Sequence, residues 1–261
     1  MRMKFTVALA VFPAVAAFVG PAAPTADVRV SESKADLEGL AKSLNPTIGF
    51  WDPLNVAGAS GSLYGYDNAQ TIAWYRQAEI KHGRVAMAAF VGYCVQANGG
   101  HWATKMTLGG ADWPTGSPPE QWDALPVASK WQIILFVGIL ELFDESVEPH
   151  YMMGRKPGEF PSFNDAYAAG QGVPHPVPFD LFDPFGTVSK LLDTEEKRAR
   201  GRLIEINNGR AAMLGIFGFM SASKVAGSVP VLSFIPAYDG NYMIPFEGNF
   251  HMPSMVVQTV M

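Results

Sequence analysis

The sequence contains two closely similar charged stretches, EIKHGR at residues 79–84 and EINNGR at residues 205–210. Each opens an apolar run, and the two copies align without a gap as EIKHGRVAMAAFVGYCVQ (79–96) and EINNGRAAMLGIFGFMSA (205–222). Glu, Ile, Gly, Arg, Ala, Met and Gly recur at matching places. Because internal repeats in membrane proteins commonly pack about a pseudo-two-fold axis, the chain is predicted to consist of two related halves.

Three segments are long enough to form the main helices, at about residues 68–96, 125–145 and 194–225. The middle segment has about 20 predominantly apolar residues, which is the length of a membrane-crossing helix. Each outer segment combines a shorter apolar stretch with a charged cluster, and FWDPLN (50–55) and LFDPFG (181–186) precede them. The sequence predicts an all-α membrane protein with three transmembrane helices, long loops and a short amphipathic helix near the C-terminus.

The charges of the two repeats predict how the outer helices pack. Five residues separate Glu79 from Arg84, which places them roughly 140° apart around a helix. The same separation divides Glu205 from Arg210, so neither glutamate can pair with the arginine of its own repeat. An unpaired charge at the centre of a bilayer costs about 3 kcal/mol or more. We therefore expect the first and third helices to cross, with Glu79 paired to Arg210 and Glu205 paired to Arg84.

Small residues recur at every third position of both repeats and support a close crossing. Such ridges let membrane helices approach each other backbone to backbone. The ridges are Gly83, Ala86, Ala89 and Gly92 in the first copy, and Gly209, Ala212, Gly215 and Gly218 in the second.

Composition excludes several classes of protein. Only 16% of the 261 residues are charged, against about one-quarter in soluble domains. A net charge of −5 without a basic stripe argues against a nucleic-acid-binding protein. The single cysteine, Cys94, excludes an intrachain disulfide and a cysteine-based metal cage. The sequence has no phosphate-binding glycine loop, nucleophile elbow or zinc-helix motif, so we do not expect an enzyme.

The N-terminus has the pattern of a targeting presequence. MRMK is followed by the apolar stretch FTVALAVFPAVAAF and then by small residues and prolines. Residues 1 to about 26 are therefore excluded from the predicted fold.

The repeats also present ligand atoms. His82 lies three residues after Glu79 and shares its helix face, and Asn208 has the same place after Glu205. Each glutamate, once paired with one arginine, is expected to keep an oxygen lone pair that lipid cannot satisfy. Magnesium accepts such ligands, and a magnesium ion already held in a macrocycle needs only one axial ligand from the protein.

In EIKHGR, EINNGR, the middle helix between them, DPLN and DPFG, the chain resembles the light-harvesting chlorophyll-binding family over about residues 50–246. QWDALPVASKWQII (121–134) and GSVP (227–230) are closer to the chlorophyll a/c proteins of red-lineage algae, the fucoxanthin or peridinin antennae, than to plant chlorophyll a/b proteins. The phenylalanine of AVAAFVGP in the presequence also resembles a cleavage motif of plastid presequences in such algae. EEKRARGRLIEINNGR (195–210) and IPAYDGNYMIPF (235–246) look most like antennae associated with photosystem I.

The resemblance implies axial chlorophyll ligands, two locking arginines and two carotenoid-binding loops. The implied ligands are Glu79, His82, Glu205, Asn208 and Glu141, with Gln132, Gln96 and His101 as further candidates. Arg84 and Arg210 become the arginines of the interhelical lock, and Asp52 and Asp183 fall in loops that hold carotenoid head groups in the family. The family often has a glutamine where this chain has Ala222, so that pigment site is absent or ligated otherwise.

The resemblance further implies that residues 27–261 form one light-harvesting domain that crosses the plastid thylakoid membrane several times. The implied cofactors are chlorophyll a, chlorophyll c, carotenoids of the fucoxanthin or peridinin type, a diadinoxanthin-like xanthophyll and lipids. The implied function is to absorb light and pass excitation to a photosystem core, photosystem I in particular, beside neighbouring antenna subunits.

Alternatives stay open at this point. A photoprotective quencher can share the same fold, and a small membrane transporter is a more distant alternative because intramembrane charges and repeats also mark ion pathways. Among single residues, Glu141 could be a charge at a helix end, and Gln132 and Gln96 could be solvated.

Overall fold

A computed structural model of the protein describes residues 33–58, 65–106, 109–171, 180, 183–244 and 246. This part of the chain is helical, and no β-strand occurs within it. The predicted presequence lies outside the described residues. The α-helices are α1 (Lys34–Leu44), α2 (Asn68–Ala97), α3 (Pro118–Asp123), α4 (Val127–Ser146), α5 (Phe163–Ala168), α6 (Thr187–Leu191) and α7 (Glu195–Lys224). The 3₁₀ turns are Tyr151–Met153 and Pro230–Leu232, and no amphipathic α-helix follows α7 within the described residues.

The long helices α2, α4 and α7 match the three predicted segments to within two residues at each end. Side-chain caps define two of the starts. The backbone N–H of Asp67 donates to Gln70 Oε1 at 3.1 Å before α2, and the Lys197 N–H donates to Thr194 Oγ1 at 3.4 Å before α7. These caps satisfy backbone groups that have no partner within the helix itself.

Hydropathy does not identify a membrane span in the described part of the chain, because no helix there is both long enough and apolar enough. The predicted count of three transmembrane helices is therefore not established.

Helices α2 and α7 cross with their backbones in contact at Gly83 and Gly209. A Cβ atom at Gly83 would lie 3.1 Å from the Cα of Gly209, and one at Gly209 would lie 2.9 Å from the Cα of Gly83. No residue with a side chain fits either position unless the helices move apart. The crossing therefore occurs at the first small residue of each ridge.

The rest of each ridge is in contact over only part of its predicted length. Ala86 is buried, but Ala89 is exposed, and a Cβ atom at Gly92 would have no neighbour within 4 Å. The rings of Phe90 and Phe219 stack between the helices with their centroids 5.0 Å apart. The prediction is wrong for Ala89 and Gly92 because crossed helices diverge from their contact point, so larger side chains are needed to bridge the gap.

The middle helix α4 is exposed throughout its apolar centre. All of residues 131–139 are exposed, and this stretch covers every face because it makes more than two helical turns. It includes Ile133, Leu135, Phe136, Val137 and Ile139. Apolar surface of this extent indicates contact with another molecule or with lipid.

Buried charges hold α4 at its two ends. Lys130, near the start, is 1% exposed. Its Nζ donates to the backbone oxygen of Asp123 at 3.1 Å and lies 5.8 Å from the ring centroid of Trp122. Asp144, near the end, is equally buried, and its Oδ1 accepts a hydrogen bond from Arg155 Nη2 at 2.6 Å. The ends of α4 are thus fixed while its centre is exposed.

Asp144 also connects α4 to α2. Its Oδ2 lies 2.7 Å from Lys81 Nζ and accepts a hydrogen bond from Gln77 Nε2 at 3.0 Å. The Gln77 Oε1 in turn accepts the backbone N–H of Gly158 at 2.5 Å. This network joins two long helices and the loop after α4, and every partner of the buried aspartate is a hydrogen-bond donor.

Tyr151 connects the loop that follows α4 to the last turns of α4 through hydrogen bonds. Its hydroxyl donates to the two carboxylate oxygens of Glu145 at 3.2 and 3.3 Å. Burial, followed by the charge of Glu145, raises the pKa of Tyr151 above its ordinary value. The raised pKa extends to higher pH the range over which the hydroxyl is protonated and can donate.

Candidate functional site

Two reciprocal ion pairs join α2 and α7. Arg84 Nε donates to Glu205 Oε1 at 2.6 Å, and Arg210 Nη2 and Nε donate to Glu79 Oε1 at 2.7 and 2.8 Å. Each pair joins residues that the repeat predicts as partners. The four side chains are 26% to 47% exposed, so in water each pair would contribute at most about 1 kcal/mol.

A third arginine contacts Glu79, so Glu79 and Glu205 differ in the number of arginines around them. Arg76 lies one turn before Glu79 on α2, and its Nη1 donates to Glu79 Oε2. Arginines therefore contact both oxygens of Glu79, whereas the sequence predicts one oxygen without such a contact. Because an ionised carboxylate accepts about four hydrogen bonds in all, one lone pair of Oε2 is still open. The ion pair of Glu205 with Arg84 is made through Oε1.

His82 is exposed on α2 with one ring nitrogen already used. Its Nδ1 lies 2.7 Å from the backbone oxygen of Ala78. Since a carbonyl oxygen can only accept, Nδ1 carries a proton, and in the neutral ring Nε2 then has a lone pair. Metal-binding histidines commonly have this arrangement, in which one ring N–H donates to a carbonyl group and the other nitrogen binds the metal.

Asn208 has the equivalent position on α7. It is exposed and directly precedes Gly209, the contact glycine. Its amide oxygen is a ligand type that magnesium accepts. Within the described residues, no three His, Cys, Asp or Glu side chains are grouped to hold a bare metal ion.

Glu141, the candidate ligand on α4, takes part in an ion pair. Its Oε2 accepts a hydrogen bond from Lys81 Nζ at 2.6 Å, while the side chain stays 53% exposed. Lys81 thus contacts both Glu141 and Asp144. Sequence reasoning missed this lysine because the second repeat has the uncharged Asn207 at the same place.

Three further candidate ligands lie outside the charged clusters EIKHGR and EINNGR. Gln96 follows Glu79 by 17 residues on the same helix, which corresponds to about 25 Å. His101 is exposed in the next loop, and its Nδ1 donates to the backbone oxygen of Trp102 at 3.1 Å. Gln132 is exposed in the centre of α4. Ligand roles for these residues stay predictions.

The two aspartates of the predicted carotenoid loops bind backbone amides. Asp52 Oδ1 and Oδ2 accept the N–H groups of Val56 and Ala57, each at 2.9 Å. Asp183 Oδ1 accepts the N–H of Val188 at 3.0 Å. In both halves of the chain the aspartate therefore shapes the loop that leads toward a long helix.

A cavity of about 620 Å³ adjoins the Glu79 ion pair. Its walls come from α1, from residues 45–57 and from α2, and Arg76, Glu79 and Arg210 lie along it. Most of the other lining residues are apolar or aromatic. This volume and lining are typical of a site for an organic ligand.

Helix α1 forms one wall of the cavity and is absent from the sequence-based prediction. Ser33 caps it: the Ser33 backbone N–H donates to Asp36 Oδ2 at 2.8 Å, and the Asp36 N–H donates to Ser33 Oγ at 3.3 Å. The bonds from Ser33 lower the pKa of Asp36. Leu37, Leu40 and Leu44 lie along the cavity. A serine followed three residues later by an acidic residue, with leucines spaced by three and four, is a signal that could have predicted this helix.

Arg76 could also have been predicted. Extended toward the N-terminus, the repeat reads RQAEIKHGR (76–84) and RLIEINNGR (202–210), so an arginine precedes each glutamate by three residues. Residues three apart on a helix are neighbours, and an arginine there is in reach of the carboxylate.

Together these features describe a helical protein whose two long helices cross through reciprocal ion pairs, beside a cavity of a size and lining typical of an organic-ligand site. Comparison with known proteins agrees. A family model described as chlorophyll A-B binding protein matches residues 35–224. A fucoxanthin-chlorophyll a-c binding protein of Trieres chinensis is 36% identical over 196 residues, which cover 72% of this chain and 79% of that protein. The fucoxanthin-chlorophyll a-c binding protein F of Phaeodactylum tricornutum is 33% identical over 230 residues, or 87% of this chain and 98% of that protein.

The chain therefore belongs to the chlorophyll a-b binding protein family. This is a family of light-harvesting proteins and not of enzymes. The predictions of family membership and of a non-enzymatic protein are confirmed.

Proposed function

We propose that the protein is a light-harvesting antenna that binds chlorophyll and carotenoid and passes excitation energy to a photosystem. The observation that supports this best is the crossed pair of α2 and α7. In this pair, four charged side chains neutralise one another. Nitrogen and oxygen atoms next to them still have lone pairs that could bind a metal.

These nitrogen and oxygen lone pairs fit the central magnesium of chlorophyll as ligands. His82 would hold this metal through Nε2, and Asn208 would hold it through its amide oxygen. Glu205 and Glu79 would hold it through their open carboxylate lone pairs, since magnesium prefers oxygen ligands. Bound chlorophyll supplies light absorption and excitation transfer, while the protein sets distance, orientation and local charge. Arg84 and Arg210 keep the two carboxylates neutralised and hold the helices together.

Four further residues are assigned to additional chlorophylls. Glu141 would act with its charge balanced by Lys81. Gln132, Gln96 and His101 offer uncharged donors on α4, at the end of α2 and in the loop that follows.

The two aspartate loops are assigned to carotenoid head groups. Because the carboxylates of Asp52 and Asp183 already accept backbone amides, the shape of each loop would hold the head group, and the aspartate would maintain that shape.

We place the protein in the plastid thylakoid membrane with α2, α4 and α7 as spans. At 1.5 Å per residue, α4 is about 30 Å long and α2 and α7 are about 45 Å long, against a hydrocarbon core of about 30 Å. The apolar centre of α4 supports this placement. The paired charges of α2 and α7 support it too, since pairing removes much of the cost of placing them in lipid.

The names of the relatives support chlorophyll a, chlorophyll c and fucoxanthin as pigments. A diadinoxanthin-like xanthophyll and thylakoid lipids complete the proposed set, and a peridinin-type carotenoid is the alternative to fucoxanthin. We propose photosystem I as the partner, together with neighbouring antenna subunits, from the resemblance of residues 195–210 and 235–246 to antennae of that photosystem.

Adjacent asparagines supply a matched test of the ligand assignment. Asn208→Val removes a proposed ligand, and Asn207→Val makes the same change one position away; both residues are exposed. After reconstitution with extracted pigments, we expect Asn208→Val to lose the chlorophyll at this position and Asn207→Val to keep it. The measurement is the ratio of extracted chlorophyll to protein. Equal ratios in the two variants would contradict the assignment.

A further inference from the structure

The two repeats differ in the contacts of one equivalent arginine. Arg76 precedes Glu79 by three residues, and Arg202 precedes Glu205 by three. The side chain of Arg76 is 9% exposed and contacts Glu79. The side chain of Arg202 is 56% exposed, and its Nη2 lies 3.8 Å from Glu195 Oε2 instead.

This difference gives the two carboxylates different surroundings. Two guanidinium groups, those of Arg76 and Arg210, contact Glu79. Glu205 has its ion pair with Arg84, while Arg202 is engaged elsewhere. Glu79 is therefore contacted by two guanidinium groups, and Glu205 is contacted by one.

The guanidinium group of Arg76 also restricts the orientation of the Glu79 carboxylate. Arg210 holds Glu79 Oε1 from α7, and Arg76 holds Oε2 from within α2. A carboxylate held on both oxygens cannot rotate about its terminal bond without breaking one of these contacts. Arg76, Glu79 and Arg210 all line the same cavity of about 620 Å³.

We propose that Arg76 is a positioning residue for the pigment bound by Glu79, and that it makes the two repeat-related pigment sites spectrally distinct. It fixes the direction of the open Oε2 lone pair and places a positive charge beside the cavity. Charge near a bound cofactor tunes its electronic properties. This inference rests on the proposed function, because it assigns a role to Arg76 only if Glu79 binds a pigment.

The test compares Arg76→Gln with Arg202→Gln, the same change at the equivalent position of the other repeat. Each full-length variant is reconstituted with chlorophylls and carotenoids, and its low-temperature absorption spectrum and pigment-to-protein ratio are measured. Glu79→Gln and Glu205→Gln identify the absorption band that belongs to each site. We expect Arg76→Gln to shift or remove the Glu79 band and to leave the Glu205 band unchanged. We expect Arg202→Gln to change neither band.

A spectrum of Arg76→Gln that matches the wild type, or equal band shifts in the two arginine variants, would overturn the inference. If Arg76→Gln does not fold, Arg76→Lys replaces it, because lysine keeps the charge but lacks the planar fork of arginine. A smaller shift of the Glu79 band is then expected, and an unchanged band would overturn the inference. A wild-type protein that takes up no pigment would instead refute the proposed function, so the two failures are distinguishable.

Discussion

At the scale of single residues, the contact between Gly83 and Gly209 determines how near the two repeats can lie. A Cβ atom on either glycine would come within 3.1 Å of the opposite backbone. This short separation lets Arg84 and Arg210 reach across to the glutamates of the other helix.

A pair of glycine variants tests this contact. Gly209→Ala should destabilise the protein by about 1–3 kcal/mol, because the added methyl group forces α2 and α7 apart. Gly92→Ala is the control, since its Cβ would have no neighbour within 4 Å. That change should be neutral or stabilise the helix by up to about 1 kcal/mol. The measurement is the thermal unfolding of the pigment-loaded proteins followed by circular dichroism, and equal destabilisation by both variants would contradict the predicted crossing.

A double-mutant cycle tests the ion pair of Arg84 and Glu205. Arg84→Gln leaves an unpaired carboxylate, so we expect it to destabilise the protein more than the double change Arg84→Gln with Glu205→Gln. The coupling free energy from unfolding should approach about 3 kcal/mol if the pair lies in lipid. A coupling below about 1 kcal/mol is what an exposed pair in water gives, and that result would contradict the proposed membrane placement.

The sequence predicts which glutamate pairs with which arginine across the two repeats, but it does not predict the other side chains that contact each glutamate. Within each repeat, the glutamate and the arginine lie too far apart around the helix to form an ion pair. The similarity of the two repeats then predicts ion pairs between the helices. Arg76 and Arg202 occupy equivalent positions, so symmetry cannot predict that only Arg76 contacts its glutamate. Arg202 lies instead near Glu195, seven residues before it, and the first repeat has no acidic residue at the corresponding place.

At the scale of the elements, α4 is held by its ends. Lys130 and Asp144 are buried, and the residues between them are mostly exposed. The apolar run and the repeat predict all three long helices, because length and hydrophobicity are local properties of the sequence. The partners of Asp144 are not predictable in this way, since Lys81, Gln77 and Arg155 come from three distant positions. Helix α1 is absent from the sequence-based prediction because it is short and lies outside both repeats, although its Ser33 cap and leucine spacing indicate a helix.

Two aspartate variants test the anchoring of α4. Asp144→Asn removes a buried charge from contact with Lys81 and Arg155, and breaking a buried pair costs about 3–5 kcal/mol. Asp112→Asn is the control, because Asp112 is 82% exposed in its pair with Lys105 and exposed pairs contribute about 1 kcal/mol or less. Thermal unfolding compares the two. A loss of stability in Asp144→Asn no larger than that in Asp112→Asn would contradict the anchoring role.

At the scale of the whole molecule, apolar surface remains for ligands to cover. The centre of α4 is exposed on every face, and the cavity beneath α1 adjoins the Glu79 ion pair. In the proposed antenna, pigments fill these spaces and form part of the structure that holds the helices together. Composition and helix periodicity do not predict these contacts, because in the proposed antenna they are made with molecules that the chain does not encode.

Pigment binding should therefore stabilise the folded protein. A ligand that binds the folded state at 100 times its dissociation constant adds about 2.7 kcal/mol. We expect the thermal unfolding midpoint to rise with the concentration of chlorophyll during reconstitution. In the control, detergent without any pigment should leave the midpoint unchanged. A midpoint independent of pigment would contradict a structural role for the ligands.

The decisive measurement for the antenna function is the fluorescence excitation spectrum of residues 27–261 reconstituted with chlorophyll a, chlorophyll c and carotenoids. If the crossed helices hold pigments at fixed short distances, light absorbed by carotenoid or chlorophyll c will produce emission from chlorophyll a. We expect the excitation spectrum to contain the absorption bands of all three pigments. A colourless protein, or chlorophyll a emission without any contribution from the other pigments, would contradict the claim that this chain is a light-harvesting antenna.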